Sequence, residues 1–149
     1  MKNAFFKIAL FTVVSMLALT VSSFAKTDKM MNSTAQMKEM TYSGYLADKL
    51  CADAGKAFDG ADMKANPENH TLKCLVAKPC AASGYGLMVK AADATEYVFY
   101  KFDSKGDKLT KKFLAKTKKG KDFLVEVVGT MKDKTIKVKS LKDAMNKTM

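Results

Sequence analysis

The chain contains no arginine: all 26 basic residues among its 149 are lysine. Guanidinium is the side chain that grips phosphate and base edges with two parallel hydrogen bonds. Its absence argues against specific nucleic-acid recognition despite a formal net charge of +11. Histidine occurs once, as His70, so a Ser-His-Asp or Cys-His triad would rest on that residue alone, with no orienting third group to identify. The three cysteines, Cys51, Cys74 and Cys80, form no Cys-x-x-Cys pair. That removes the usual patterns for disulfide exchange and haem attachment. Beyond residue 25 no run approaches the roughly 18 apolar residues of a membrane span. The expectation is a protein without a catalytic constellation.

What is present begins with an export signal. Lys2 and Lys7 precede an apolar run from Ile8 to Val21, and Ser23-Phe24-Ala25 places small residues where a signal peptidase reads them. Cleavage near Ala25 would release a periplasmic or secreted chain. Two lysines go with the signal, leaving 24 against 15 acidic residues, a net charge of +9. Such a surface can attract anionic lipid or polyanions weakly, without spanning a membrane. Residues 26–40 are polar and lysine-rich and read as a disordered lead-in; their four methionines show no Met-x-Met repeat of the kind that would collect copper(I).

The most informative stretch runs from Glu68 to Gly86 and holds His70, Cys74 and Cys80. Asn66-Pro67-Glu68 is a helix-start pattern, and Pro79 disfavours helix at Lys78. A helix over 67–77 would put His70 and Cys74 on one face, with Leu72 and Val76 opposite. Cys51 lies upstream and can close on the same place. Two readings stand. In an oxidising compartment two of Cys51, Cys74 and Cys80 pair as a disulfide that staples the segment. Closing from Cys51 gives about 3.5 kcal/mol and Cys74–Cys80 about 2.4 kcal/mol, too close to fix the partners. Alternatively Cys51, His70, Cys74 and Cys80 hold zinc or copper, with Met63 or Met88 as further soft donors. The five residues between Cys74 and Cys80 exceed the usual spacing of a zinc pair.

The remaining chain reads as strands. Residues 41–48 form the first, with Gly44 marking a bulge or bend. Residues 84–90, 96–102, 123–129 and 135–141 are the other four, and the aromatics of 96–102 fall on both faces, so both should be covered. Asp103 to Asp107 superficially looks like a calcium loop, but Lys105 stands where an Asp or Asn is needed and Leu114 where the closing Glu belongs. Ser104 or Asp107 can instead cap a helix running to about Lys119, with Gly120 as its stop and Leu109, Phe113 and Leu114 as its apolar stripe.

Strand, cysteine-bearing helical insertion, two strands, helix, two strands is the layout of a five-stranded OB-like barrel, a mainly β, α+β fold. The expected organisation is signal 1–25, lead-in 26–40, barrel domain 41–143 and tail 144–149. The segments Gly44-Tyr45-Leu46-Ala47-Asp48-Lys49-Leu50-Cys51, His70…Cys74…Cys80…Gly84-Tyr85-Gly86, and the closing pair Val125–Thr130 and Thr135–Leu141 together resemble a group of small exported bacterial proteins with an OB-like domain and no assigned function. The resemblance implies the fold and export and brings no catalytic residues. The expected role is a non-catalytic envelope binding module for an unidentified ligand or protein, with a disulfide-stapled insertion. Tyr45, Tyr85, Tyr97 and Tyr100, with Tyr42, are candidate contacts. The alternative is a soft-metal protein using the four Cys and His ligands.

Overall fold

The computed structural model describes residues 38–144. The expected signal peptide and its cleavage point lie outside these residues, as do all but the last three positions of the lead-in and all but Ala144 of the tail. The order is β1 (Met40–Asp48), α1 (Lys49–Ala54), a 3-10 turn (Pro67–Asn69), α2 (Leu72–Leu75), α3 (Lys78–Ser83), β2 (Tyr85–Val89), β3 (Val98–Phe102), α4 (Ser104–Leu114), β4 (Leu124–Lys132) and β5 (Thr135–Asp143). This is a mixed α+β chain whose five strands close into a ring in the order β1-β2-β3-β5-β4. Neighbours are antiparallel except β3 and β5, which run parallel through Lys101–Thr135 and Phe102–Ile136.

Alternation along β1 and β2 explains how the insertion is held. Side chains of a strand point to opposite faces in turn. Leu46 and Leu87 enter the interior of the ring with Tyr85, Phe102, Phe123, Val125, Val127, Ile136 and Val138. Their neighbours Ala47 and Met88 point the other way, into a second cluster with Cys51, Ala57, Ala61, Met63, Cys74 and Cys80. The segment between β1 and β2 therefore covers the outer face of those two strands. Each large aliphatic or aromatic side chain buried this way contributes about 1.5–3 kcal/mol. On β3, Tyr100 and Phe102 join the first cluster and Phe99 the second, while Val98 and Lys101 stay exposed. The expectation that both faces of this strand are covered holds for its aromatics.

Three local readings need correction. Gly44 is not at a bulge: β1 keeps register with β4 through it, and a Cβ there would lie 2.6 Å from the Met88 carbonyl oxygen, so glycine serves a close backbone approach. The register shift is at Val128/Gly129, between β4 and β5. The helix near residue 104 is capped by Asp103, whose Oδ1 accepts from Gly106 N and Val138 N, and it stops at Leu114, well before Gly120. It buries Gly106, Thr110 and Leu114, and its lysines face solvent.

The single helix expected over 67–77 is three short pieces. His70 is extended at φ −66 and ψ 124, which ends the 3-10 turn. Thr71 then caps a new helix, and Pro79 opens α3 instead of closing the one before it. Proline at a first helical turn loses no hydrogen bond, because that amide has no intrahelical partner.

Candidate metal centre

Two capping residues place two cysteines. Asp48 ends β1 and caps α1, its Oδ1 accepting from Cys51 N at 3.0 Å. Thr71 caps α2, its Oγ1 accepting from Cys74 N at 3.3 Å. Each cysteine is thus the third residue after its cap, in the first turn of a helix. The two turns face each other: Cys51 Sγ lies 3.9 Å from Cys74 Sγ and 3.9 Å from Cys80 Sγ. Cys80 enters from α3, and its side chain is sealed from solvent.

His70 joins the thiols through carboxylates. Its Nε2 lies 2.9 Å from Asp48 Oδ2 and its Nδ1 lies 3.1 Å from Asp59 Oδ2. The same Asp59 oxygen accepts from Thr71 N at 2.7 Å and Thr71 Oγ1 at 2.8 Å, and Oδ1 accepts from Ala61 N at 3.2 Å. Asp59 therefore fastens the loop after α1 onto the start of α2. The His70 and Asp48 side chains are both fully buried. Each ring nitrogen therefore lies within hydrogen-bond distance of a carboxylate oxygen, Nε2 on Asp48 and Nδ1 on Asp59.

The electrostatics follow from burial. Burial opposes charge on Asp48, but hydrogen bonds from His70 and Cys51 outweigh it and hold the carboxyl below its ordinary range. Asp59 is likewise held low: burial opposes its charge, and the Thr71 amide and hydroxyl overcome that. Burial pushes the Cys51 thiol well above its ordinary value. It pushes Cys80 up to about 11, with Asp48 adding to the effect. In the metal-free chain these two are protonated thiols and act as small apolar side chains.

Donor atoms from Asp48, Cys51, His70 and Cys74 all lie within 4.8 Å of one another, and all four residues are buried. Two thiolates on tetrahedral zinc stand about 3.8 Å apart, given bonds of about 2.3 Å. The Cys51–Cys74 separation already matches this. The edge from sulfur to nitrogen or oxygen is about 3.5 Å, so the widest spacing in the group must shrink by up to about 1.3 Å to close the tetrahedron. His70 has the support that metal-bound histidines use: a carboxylate, here Asp59, holds the far ring nitrogen.

The structure thus brings together Cys51, His70 and Cys74 of the expected ligand set, with Cys80 beside Cys51. Met63 and Met88 lie in the same buried cluster. Sequence reasoning missed Asp48 and Asp59. Asp48 was legible as an acidic residue three before a cysteine at a strand-to-helix junction; Asp59 carried no signal. The expected disulfide is not supported, since Cys51, Cys74 and Cys80 are free thiols. Their 3.9 Å contacts far exceed the roughly 2.05 Å of a sulfur–sulfur bond. Among the tyrosines, Tyr85 is 1% exposed and donates to Leu75 O, so it is a core residue and not a surface contact. Tyr45 and Tyr97 meet edge to face at 5.8 Å beside the second cluster, and Tyr42 and Tyr100 pack against the first.

No protein-family model, curated protein or solved structure matches the chain. Among the described residues no helix is long and apolar enough to cross a membrane.

Proposed function

We propose that the chain is an exported, non-catalytic metal-binding protein, an OB-like barrel whose insertion between β1 and β2 holds one zinc ion. The OB-like reading is supported by the ring order, the parallel β3–β5 pair and the helix between β3 and β4. Export is supported by the sequence of residues 1–25. The observation that carries the metal reading is the convergence of Asp48, Cys51, His70 and Cys74 within 4.8 Å, with the other ring nitrogen of His70 anchored on Asp59. Mixed thiolate, imidazole and carboxylate donors suit zinc. His70 would hold the ion through Nε2 and keep its Nδ1 contact with Asp59. Cys51 and Cys74 would bind it as thiolates, and Asp48 would offer Oδ2 while Oδ1 remains on the Cys51 amide.

Elemental analysis and intact mass of natively purified protein test this. One zinc per chain, lost in Cys51→Ser and Cys74→Ser, is the expected result. One copper per chain would keep the site and change the metal, which a site richer in sulfur, with Cys80 and a methionine, would favour. A metal-free chain two hydrogens lighter than its reduced form would overturn the reading and leave a disulfide-stapled binding module.

A further inference from the structure

A cavity of about 250 Å³ opens beside the cluster, lined by Phe58, Asp59, Thr71, Lys73, Cys74 and Ala77. Of the clustered side chains, Asp48 and Cys80 are 0% exposed, Cys51 and His70 1%, and Cys74 6%. Cys74 is therefore the ligand that the cavity reaches. Its other polar lining is unevenly available. Asp59 is committed to His70, Thr71 and Ala61, and Thr71 Oγ1 donates back to Asp59. Lys73 is exposed and makes no ion pair among the described residues. Phe58 is 76% exposed, an unusual position for a large aromatic side chain, and with Ala77 it gives the cavity an apolar wall.

We propose that this cavity is a metal-exchange port, where a small anionic thiolate carrying the metal hands it to Cys74. The inference rests on the metal reading above and names the partner class for that site. Lys73 would hold the carrier's carboxylate, and Phe58 and Ala77 would flank its apolar part. The transfer is a ligand exchange without redox change. Cys74 Sγ forms a bond to the metal as the bond from the carrier's sulfur breaks, and the proton leaving the Cys74 thiol is taken up, through water, by the departing thiolate. Cys51 and His70, sealed behind Cys74, then replace the carrier's remaining ligands, each passing the proton its donor atom carries to a departing ligand or to water. A free cation needs neither the lysine nor the apolar wall, so their presence favours a carrier with an anionic group and a carbon skeleton.

The test uses the full chain, reduced and metal-free, and cobalt(II) as the coloured substitute for zinc. The ion is presented as the aqua ion or as its complex with glutathione, a thiol with two carboxylates. Uptake is followed by the thiolate-to-metal absorption. Lys73→Glu should slow uptake from the glutathione complex about tenfold, leave uptake of the aqua ion unslowed, and change equilibrium affinity by less than about twofold. Ala77→Leu, which narrows the cavity, should slow uptake from the complex by a similar factor. If both variants keep the wild-type rate from the complex and bind metal normally, the metal centre stands and the port is wrong. If the wild-type chain takes up no metal, the port falls together with the centre.

Discussion

Asp59 Oδ2 sits 3.1 Å from His70 Nδ1, and this contact leaves the other ring nitrogen, Nε2, turned toward Asp48. The carboxylate also supports the backbone of α2 through the Thr71 amide. The position of the ring is thus set by a residue outside the group of four converging donors.

Replacing Asp59 by asparagine isolates that role. The amide keeps an acceptor for Nδ1 and removes the negative charge beside the ring. Loss of such a partner costs 10–100-fold in metal affinity, roughly. Competition of D59N against a chromogenic chelator should show a weakening in this range, with the metal stoichiometry unchanged. Wild-type affinity in D59N would mean that His70 does not ligate.

Cys80 and Cys74 should differ when each is replaced by serine. Cys74 belongs to the group of donors within 4.8 Å, whereas Cys80 touches Cys51 from outside that group. C80S should retain one zinc per chain, and C74S should lose it. The apo forms of both should fold, since serine is nearly isosteric, at a cost of about 1–3 kcal/mol for a buried hydroxyl lacking a partner. The opposite outcome, zinc kept by C74S and lost by C80S, would assign the fourth ligand to Cys80 in place of Cys74.

Much of the fold could be read from local pattern because the strands alternate. Val125 and Val127, and Ile136 and Val138, are inward as their spacing demands. The candidate site was legible only as a set of residue types. His70 and Cys74 do converge, but not as neighbours on a helix. Thr71 competes for the backbone as a cap and breaks the helix between them. The two carboxylates were invisible for a different reason. Asp48 takes its place at the end of a strand whose partner, Tyr85, is 37 residues on, and Asp59 meets His70 from a loop with no periodicity. Neither contact follows from spacing, since both depend on how the insertion folds across β1 and β2.

Gly106 tests packing against helix propensity. A Cβ there would lie 2.6 Å from both Phe102 Cβ and Val138 Cγ2, so α4 could no longer sit as close to β3 and β5. Propensity alone favours alanine in a helix by about 1 kcal/mol. Overpacking costs about 1–3 kcal/mol, and Phe102 Cβ, tied to the backbone, cannot swing aside. Gly106→Ala should therefore lower stability by up to about 2 kcal/mol in chemical denaturation. A gain would show that the helix can lift from the sheet at little cost.

Tyr85 sets an alkaline limit to stability. Burial pushes its phenol from 10.0 up to about 12, with the carboxylates of Asp48 and Asp107 adding to the effect. The phenol donates to the Leu75 carbonyl at 2.9 Å and so favours the neutral form. Since the folded value lies above the unfolded one, its contribution is fully present below pH 10 and is lost as pH rises toward 12. Two pH units correspond to about 2–3 kcal/mol. Lysines titrate over the same interval, so the quantity to measure is the difference between wild type and Tyr85→Phe. Phenylalanine leaves the Leu75 carbonyl without its donor, which should cost about 1–3 kcal/mol below the window. Across the window the wild type should lose stability faster than Y85F, until the two converge or cross. Parallel stability profiles for the two proteins would show that the Tyr85 phenol ionises as readily in the folded chain as in the unfolded one.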